Sequence, residues 1–480
     1  MSDIGQLKTK RICFDCVGET YLEDLIANQG THGQCDYCCQ PGQTFSIAEM
    51  ADRIETAFEQ HYERTSEHPS DLEWMMQKDK ELNYEWEREG FPTVYAISGA
   101  ALIGEQPARD IQAVLADRYA DWESMKIGDE TEFDAGACYA EKGPNPREWQ
   151  AQWFLFEEKL KTETRFFSRD AAATLEVIFK DISHLQTRDG RHVVVDAGPG
   201  TQHSAFYRAR SFEADSDLQD ALVYPEQRLG TPPSQRARDG RMNARGIAVF
   251  YGASDPTAAI AEVRPPVGSK VLVGQFEVIA PLRLLDLRAL DRIRLSGSIF
   301  DPDYVRQLER VAFLAILGKR ITVPVMPSDE PFEYLATQAV ADFLATEADP
   351  PLDGIIYPSV QAGEDQYNVV LFHKAARVQP ADTSKGAKIS AQLYTTTEDG
   401  VEPDYTIIEE LPEPIQASDS AKHQEGSSTP AADDTDLRNS TLRLQSDSLT
   451  VHHVKRVSID TDPHEVSHLQ WEPWKKGLDS

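Results

Sequence analysis

Val249-Phe-Tyr-Gly-Ala-Ser254-Asp-Pro-Thr-Ala-Ala-Ile-Ala-Glu262-Val-Arg264 is the stretch from which the fold is read. Ile247 to Tyr251 is apolar and aromatic, which predicts a strand. Ser254 stands where an N-cap is wanted, and Pro256 suits a first helical turn. The small apolar run behind them predicts a helix over Ser254 to Arg264. A strand end, a cap and a helix in succession make a common place for a ligand cleft. Glu262 is the one charged side chain between Thr257 and Val263, so its carboxylate faces either solvent or that cleft.

The same alternation extends outward. Arg191 to Asp196, Val271 to Val278 and Val369 to Phe372 read as strands, and Tyr304 to Leu317 and Tyr334 to Leu344 as helices. Residues 188–378 are therefore expected to form one mixed α/β domain. Residues 44–187 are expected to be all-helical. Ser46 and Glu49 make a capping box, with Phe45 and Met50 at the staple positions. Ile47, Met50, Ile54, Ala57, Phe58 and His61 then recur at helical spacing. Ile111, Val114, Leu115, Tyr119 and Trp122 give a second helix, and Trp149, Trp153, Phe156 and Leu160 a third. Ser168 caps a fourth that carries Leu175, Ile178, Phe179, Ile182 and Leu185. Residues 379–480 form a polar, partly disordered extension. In it Glu409 to Pro414 and Glu425 to Asp436 have linker composition, and Leu442 to Leu449 and His452 to Ile459 read as a strand pair.

The chain has 480 residues, more than one core usually serves. Its longest strongly apolar run, Val311 to Leu317, falls short of the roughly 18 residues that span a bilayer. The start at Met1 carries no apolar stretch of secretory length. The expectation is a cytoplasmic protein without a membrane partner. A net charge of −32 repels phosphate backbones and argues against nucleic acid as a partner. Arg236, Arg238, Arg241 and Arg245 still form a local basic cluster that suits a small phosphate ligand.

Five of the six cysteines fall between Cys13 and Cys39. Cys13-Phe-Asp-Cys16 and Cys35-Asp-Tyr-Cys38 are two knuckles whose separation suits a closed tetrahedral zinc site. The expectation for residues 1–43 is a structural Zn²⁺ on Cys13, Cys16, Cys35 and Cys38. The alternatives are reduced cysteines without metal or a redox pair, and Cys39 competes for the fourth position. Cys138 reads as a small core residue.

Five elements between residues 206 and 372 carry the remaining signal. They are Phe206-Tyr-Arg208-Ala-Arg210, Gly240-Arg241-Met-Asn243-Ala-Arg245-Gly246, Val249 to Ser254, Ala258 to Arg264, and Gly354-Ile-Ile-Tyr-Pro-Ser359 followed by Asn368-Val-Val-Leu-Phe372. Taken singly, Arg208 and Arg241 read as surface arginines, Tyr251 as a packing residue and Ser359 as a turn hydroxyl. Their order resembles the RES-domain family over residues 205–378. The N-terminal part resembles the zinc-containing HEPN/RES N-terminal domain. HEPN ribonucleases pair an Arg and a His at a wider spacing than Arg64 and His68 have, so RNA cleavage is not expected of it.

The resemblance implies an ADP-ribosyltransferase-like α+β fold and a toxin that consumes NAD⁺ as substrate. Carried across, Arg208 and Arg241 would hold the pyrophosphate, Tyr251 would pack on the nicotinamide side, Glu262 would be the catalytic carboxylate, and Ser359 would orient ribose or nicotinamide. Arg210 is the alternative to Arg208, because both face one side of a strand. The reaction implied is cleavage of the nicotinamide–ribose bond by water or phosphate, with transfer to a protein side chain, or binding without catalysis, as the other readings. An antitoxin, self-regulation by the N-terminal extension and a homodimer are the partner relations left open.

Overall fold

The computed structural model describes residues 2–79, 82, 84–121, 126, 128–163, 168–326, 328–361, 363, 365–381, 387–398, 400–411, 436–458 and 461–469. It is a mixed α/β fold in which parallel and antiparallel strand pairs both occur. Two compact units are each assembled from three stretches of chain. The first is Met1–Val195, Asp239–Ala244 and Arg283–Tyr357; the second is Asp196–Arg238, Arg245–Leu282 and Pro358–Ser480.

In the first unit the strands Arg11–Cys13, Pro41–Ser46 and Thr31–Gln34 form an antiparallel sheet with Pro41–Ser46 in the middle. The helix Ile47–His61 starts at the expected capping box, with both reciprocal bonds between Ser46 and Glu49 in place. Phe45 and Met50 are buried on either side of it. They join Ile12, Leu22, Ile26, Ile54 and Phe58 in one core with Ile97, Ile111, Val114 and Leu115. The cysteine segment thus shares its core with the helices that follow. The helices Glu105–Arg118, Arg147–Thr162 and Arg169–Phe179 occupy the expected stretches, and Ser168 accepts a bond from the N–H of Ala171 as the cap of the last. Trp149 and Trp153 pack against Phe313 of the helix Pro302–Thr322. Trp122 lies outside the described residues.

The stretch expected to be all-helical is not. Tyr62–Arg64, Cys138–Glu141 and Phe91–Pro92 form a small antiparallel sheet. Strands of two to four residues are too short to show an alternation, and their partners lie far apart in the chain.

The second unit carries the elements that position the site. We number them β1 (Ala205–Phe212), β2 (Phe250–Ala253), α1 (Pro256–Glu262), β3 (Lys270–Val278) and β4 (Tyr367–Leu371). β1 is antiparallel to both β3 and β2, and β2 is antiparallel to β4. β2 begins three residues later than the sequence predicts, because its register is set by β4 rather than by its own apolar content.

The described parts of the C-terminal region contain regular strands that their composition does not imply. Lys388–Thr397 and Gly400–Glu410 form an antiparallel hairpin that includes Glu409 and Glu410. Leu442–Leu444 and Thr450–His453 are strands, but each pairs with β3 rather than with the other. Most of Glu425 to Asp436, and Ile459, lie outside the described residues. No helix among the described residues is long and apolar enough to cross a membrane.

Ser46→Ala removes one partner of the capping box. Urea denaturation should show a loss of about 1 kcal/mol in stability, with Ser46→Gly losing less. An unchanged midpoint would mean that core packing alone holds this helix end.

Candidate functional site

Residues directly opposite one another on neighbouring strands share a face. Tyr207 of β1, Ala253 of β2 and Asn368 of β4 therefore form one row, and Tyr251 with Val370 the next. α1 lies over this face. Its Ala258 and Ala259 are buried against Ala209, Ala253, Val271 and Val273. Alanines at this contact let the helix approach closely, which brings Glu262 at its last turn down to β4.

Both ends of α1 are tied to the start of β4. Asp255 is the N-cap, and its Oδ1 accepts from the N–H groups of Thr257 (2.9 Å) and Ala258 (3.1 Å). The same oxygen accepts from Gln366 Nε2 at 3.1 Å. Ser254, the expected cap, is displaced from that role by Asp255. Its hydroxyl instead donates to Asp255 Oδ2 and accepts from the Tyr367 N–H. At the other end, Glu262 Oε2 accepts from Asn368 Nδ2 at 3.0 Å. Glu262 is exposed as a residue, so its carboxylate is both fixed and reachable.

Ser359 follows the strand Gly354–Pro358, and its N–H donates to the Gln366 carbonyl at 3.0 Å, which sets the two residues side by side. Ser359 and Asn368 are 6% and 2% exposed, so solvent does not serve them. Among the described residues Ser359 Oγ, Gln366 Oε1 and Asn368 Oδ1 are buried without a hydrogen-bond partner. Buried polar atoms are nearly always satisfied, and each exception costs about 1–3 kcal/mol. Three in one neighbourhood mark a place that a polar ligand would complete. Asn368 heads the motif Asn368 to Phe372 and carries no expected role from sequence alone. The signal was an amide heading the otherwise apolar run Val369 to Phe372.

The structure thus brings Glu262, Tyr251 and Ser359 to one region and sets Arg208 and Arg210 apart. Arg208 pairs with Gly274 of β3, one residue on from Tyr207, and so points to the opposite face. Its guanidinium carbon stands 5.1 Å from the centre of the Phe250 ring. Its Nη1 is buried and has no partner among the described residues. Burial, followed by repulsion from Arg210, lowers its pKa to about 10, so it keeps its charge at neutral pH. Arg210 shares that face but is exposed, and it donates to the Arg228 carbonyl at 3.2 Å.

Arg241 belongs to the first unit. Its Nη1 donates to the carbonyls of Ile321 and Val323, and its guanidinium stacks on Tyr334 at 5.3 Å. The loop around it is held from the helix Glu330–Thr346: Thr337 donates to the Arg241 carbonyl and Gln338 to the Gly240 carbonyl.

With this geometry in view, residues 205–391 match the family model of the RES domain. No curated protein and no solved structure matches the chain.

The cysteines form a second centre. Tetrahedral zinc with Zn–S bonds of about 2.3 Å places its sulfurs about 3.8 Å apart. Cys13 and Cys38 have their sulfurs 3.5 Å apart, Cys16 and Cys35 3.8 Å, and all four lie within 4.8 Å of one another. This donor set fits a zinc ion. Cys39 turns away into a left-handed backbone conformation and is exposed, which leaves Cys38 as the fourth thiol. Burial and the neighbouring thiols raise the pKa of Cys13 to about 11 and push that of Cys16 up as well. Burial raises that of Cys35 too, but backbone N–H groups of Cys38, Tyr37 and Cys13 outweigh it and bring Cys35 to about 7. A divalent cation would relieve this crowding.

Elemental analysis of purified protein should find about one zinc per chain, as a closed four-thiolate site requires. Cys35→Ser should lose the metal and destabilise the N-terminal core, whereas Cys39→Ser and Cys138→Ser should keep it. Full zinc in Cys35→Ser would refute the ligand set.

Proposed function

We propose that the RES domain cleaves NAD⁺ at the nicotinamide–ribose bond and so depletes NAD⁺. The observation that carries this reading is the Glu262 carboxylate, reachable from solvent and fixed by Asn368, beside buried polar atoms that lack partners. The reaction needs no strong general acid. When the glycosidic C–N bond breaks, its electron pair goes to the pyridinium nitrogen and nicotinamide leaves neutral. Positive charge then develops on the ribose, and a fixed carboxylate stabilises it through space or through a ribose hydroxyl. Water adding at the anomeric carbon gives ADP-ribose; phosphate adding there gives its phosphorylated counterpart.

In this reading Glu262 is the catalytic carboxylate and Tyr251 the platform for the flat ring. Ser359 orients the ring or the ribose. Arg208, with Arg210 as its alternative, is the cation assigned to the pyrophosphate, which guanidinium groups hold through paired hydrogen bonds. Arg208 has the clearer claim of the two, through its buried, unpartnered nitrogen, although its face is not that of Glu262. The zinc centre has a structural role, and a partner or the chain's own extension would restrain the activity.

The test is to incubate the full chain with NAD⁺, with and without phosphate, beside Glu262→Gln. Wild type should release nicotinamide, with Glu262→Gln slower by about 10²-fold or more, as for loss of a transition-state electrostatic contact, and NAD⁺ still bound. Equal turnover by the variant would refute the assignment of Glu262. Radiolabel on protein instead of free ADP-ribose would redirect the reading to ADP-ribosyl transfer.

A further inference from the structure

A side-chain amide has two unlike ends, a donor NH₂ and an acceptor oxygen. Two carboxylates settle which way the amides of this site are turned. Asn368 places its nitrogen 3.0 Å from Glu262 Oε2, and Gln366 places its nitrogen 3.1 Å from Asp255 Oδ1. A carboxylate accepts, so the NH₂ end must face it, and a flipped amide would set oxygen against oxygen. The carbonyl oxygens of both amides are therefore directed elsewhere. Both are buried, and neither has a partner among the described residues; Ser359 Oγ is in the same state. Two residues of β4 and its approach, and the serine bonded to one of them, thus present two obligate acceptors and one hydroxyl that can donate.

Two acceptors call for a ligand group with N–H or O–H donors. A primary carboxamide matches the three atoms in kind: its NH₂ has two donors for the two acceptors, and its oxygen can accept from the Ser359 hydroxyl. A carboxylate of the same shape has no donor. Its charge would also face two carbonyl lone pairs, with Glu262 and Asp255 behind them. We propose that Asn368 and Gln366, together with Ser359, read the carboxamide of the pyridine ring, so that the site takes a nicotinamide nucleotide and refuses the nicotinic acid analogue. This rests on the reading of Glu262 as the NAD⁺-cleaving centre and adds to it a rule of substrate choice. Asn368 has a double duty, holding Glu262 with one end and the substrate with the other.

The experiment compares the full chain on NAD⁺ and on nicotinic acid adenine dinucleotide, and titrates nicotinamide and nicotinate by ligand-observed NMR. Unsatisfied buried acceptors should make kcat/KM for the acid about 100-fold lower or more. Gln366→Met removes one acceptor and leaves the Asn368–Glu262 bond in place. It should lower kcat/KM for NAD⁺ about 10-fold and raise that for the acid, by relieving one carbonyl lone pair that faces its carboxylate, so the ratio narrows. A merely structural defect would lower both alike, and that result would overturn the role of Gln366. Equal rates on the two dinucleotides would overturn the inference while leaving NAD⁺ cleavage intact. Nicotinamide bound and nicotinate not bound, with neither dinucleotide cleaved, would support the inference and overturn the cleavage reading. Neither ring bound and neither dinucleotide cleaved would overturn both.

Discussion

The pairing of β2 with β4 is the constraint on which the site depends. It sets Asn368 opposite Ala253, and α1 packs over that same row through Ala258 and Ala259. The helix cannot rise or turn without opening this small-residue contact. Its two ends are in addition tied to Gln366 and Asn368. A slip of one residue would send Asn368 through to the other side of the sheet and release Glu262. The position of a single exposed carboxylate is thus fixed by backbone pairing, close packing and two side-chain hydrogen bonds acting together.

The two faces of this sheet have different chemistry. The Glu262 face gathers hydroxyl, amide and carboxylate groups. On the other, Phe206, Phe250 and Phe276 are buried, with Phe250 and Phe276 in edge contact. Arg208 stands among them. A side chain added at Gly274, its cross-strand neighbour, would meet Leu229, Leu444 and Leu449, so the absence of a Cβ there keeps that layer closed. A charged guanidinium in such a setting is expensive to bury, and aromatic stacking returns only part of the loss. Among the described residues nothing pairs with its buried Nη1.

Much of this was legible in the sequence, for identifiable reasons. The helix Ile47–His61 carries both a capping box and apolar spacing, and the two agree. The clustering of Cys13, Cys16, Cys35 and Cys38 follows from knuckle spacing, a local property. Glu262 stood out as the lone charge of an apolar run. What escaped the sequence depends on distant residues. Whether Arg208 points with Glu262 or away from it is decided by the registers of β1, β2, β3 and β4 together. Asp255 takes the cap from Ser254 because Tyr367 engages the serine from more than a hundred residues away. The hairpin at Lys388–Glu410 lies in acidic sequence where charge content obscures β-branched residues such as Ile407 and Ile408.

The edge strands have a practical consequence for where this domain ends. The RES match closes at residue 391, inside the strand Lys388–Thr397. Yet the outer edge of β3 is covered by Leu442–Leu444 and Thr450–His453. A fragment cut at the family boundary would expose the backbone of Lys270–Val278, together with the flanks of Val271, Leu272 and Phe276. An uncovered apolar edge of that length invites pairing between molecules. The physical domain therefore extends some sixty residues beyond its recognisable sequence, and its last strands act as a guard against self-association.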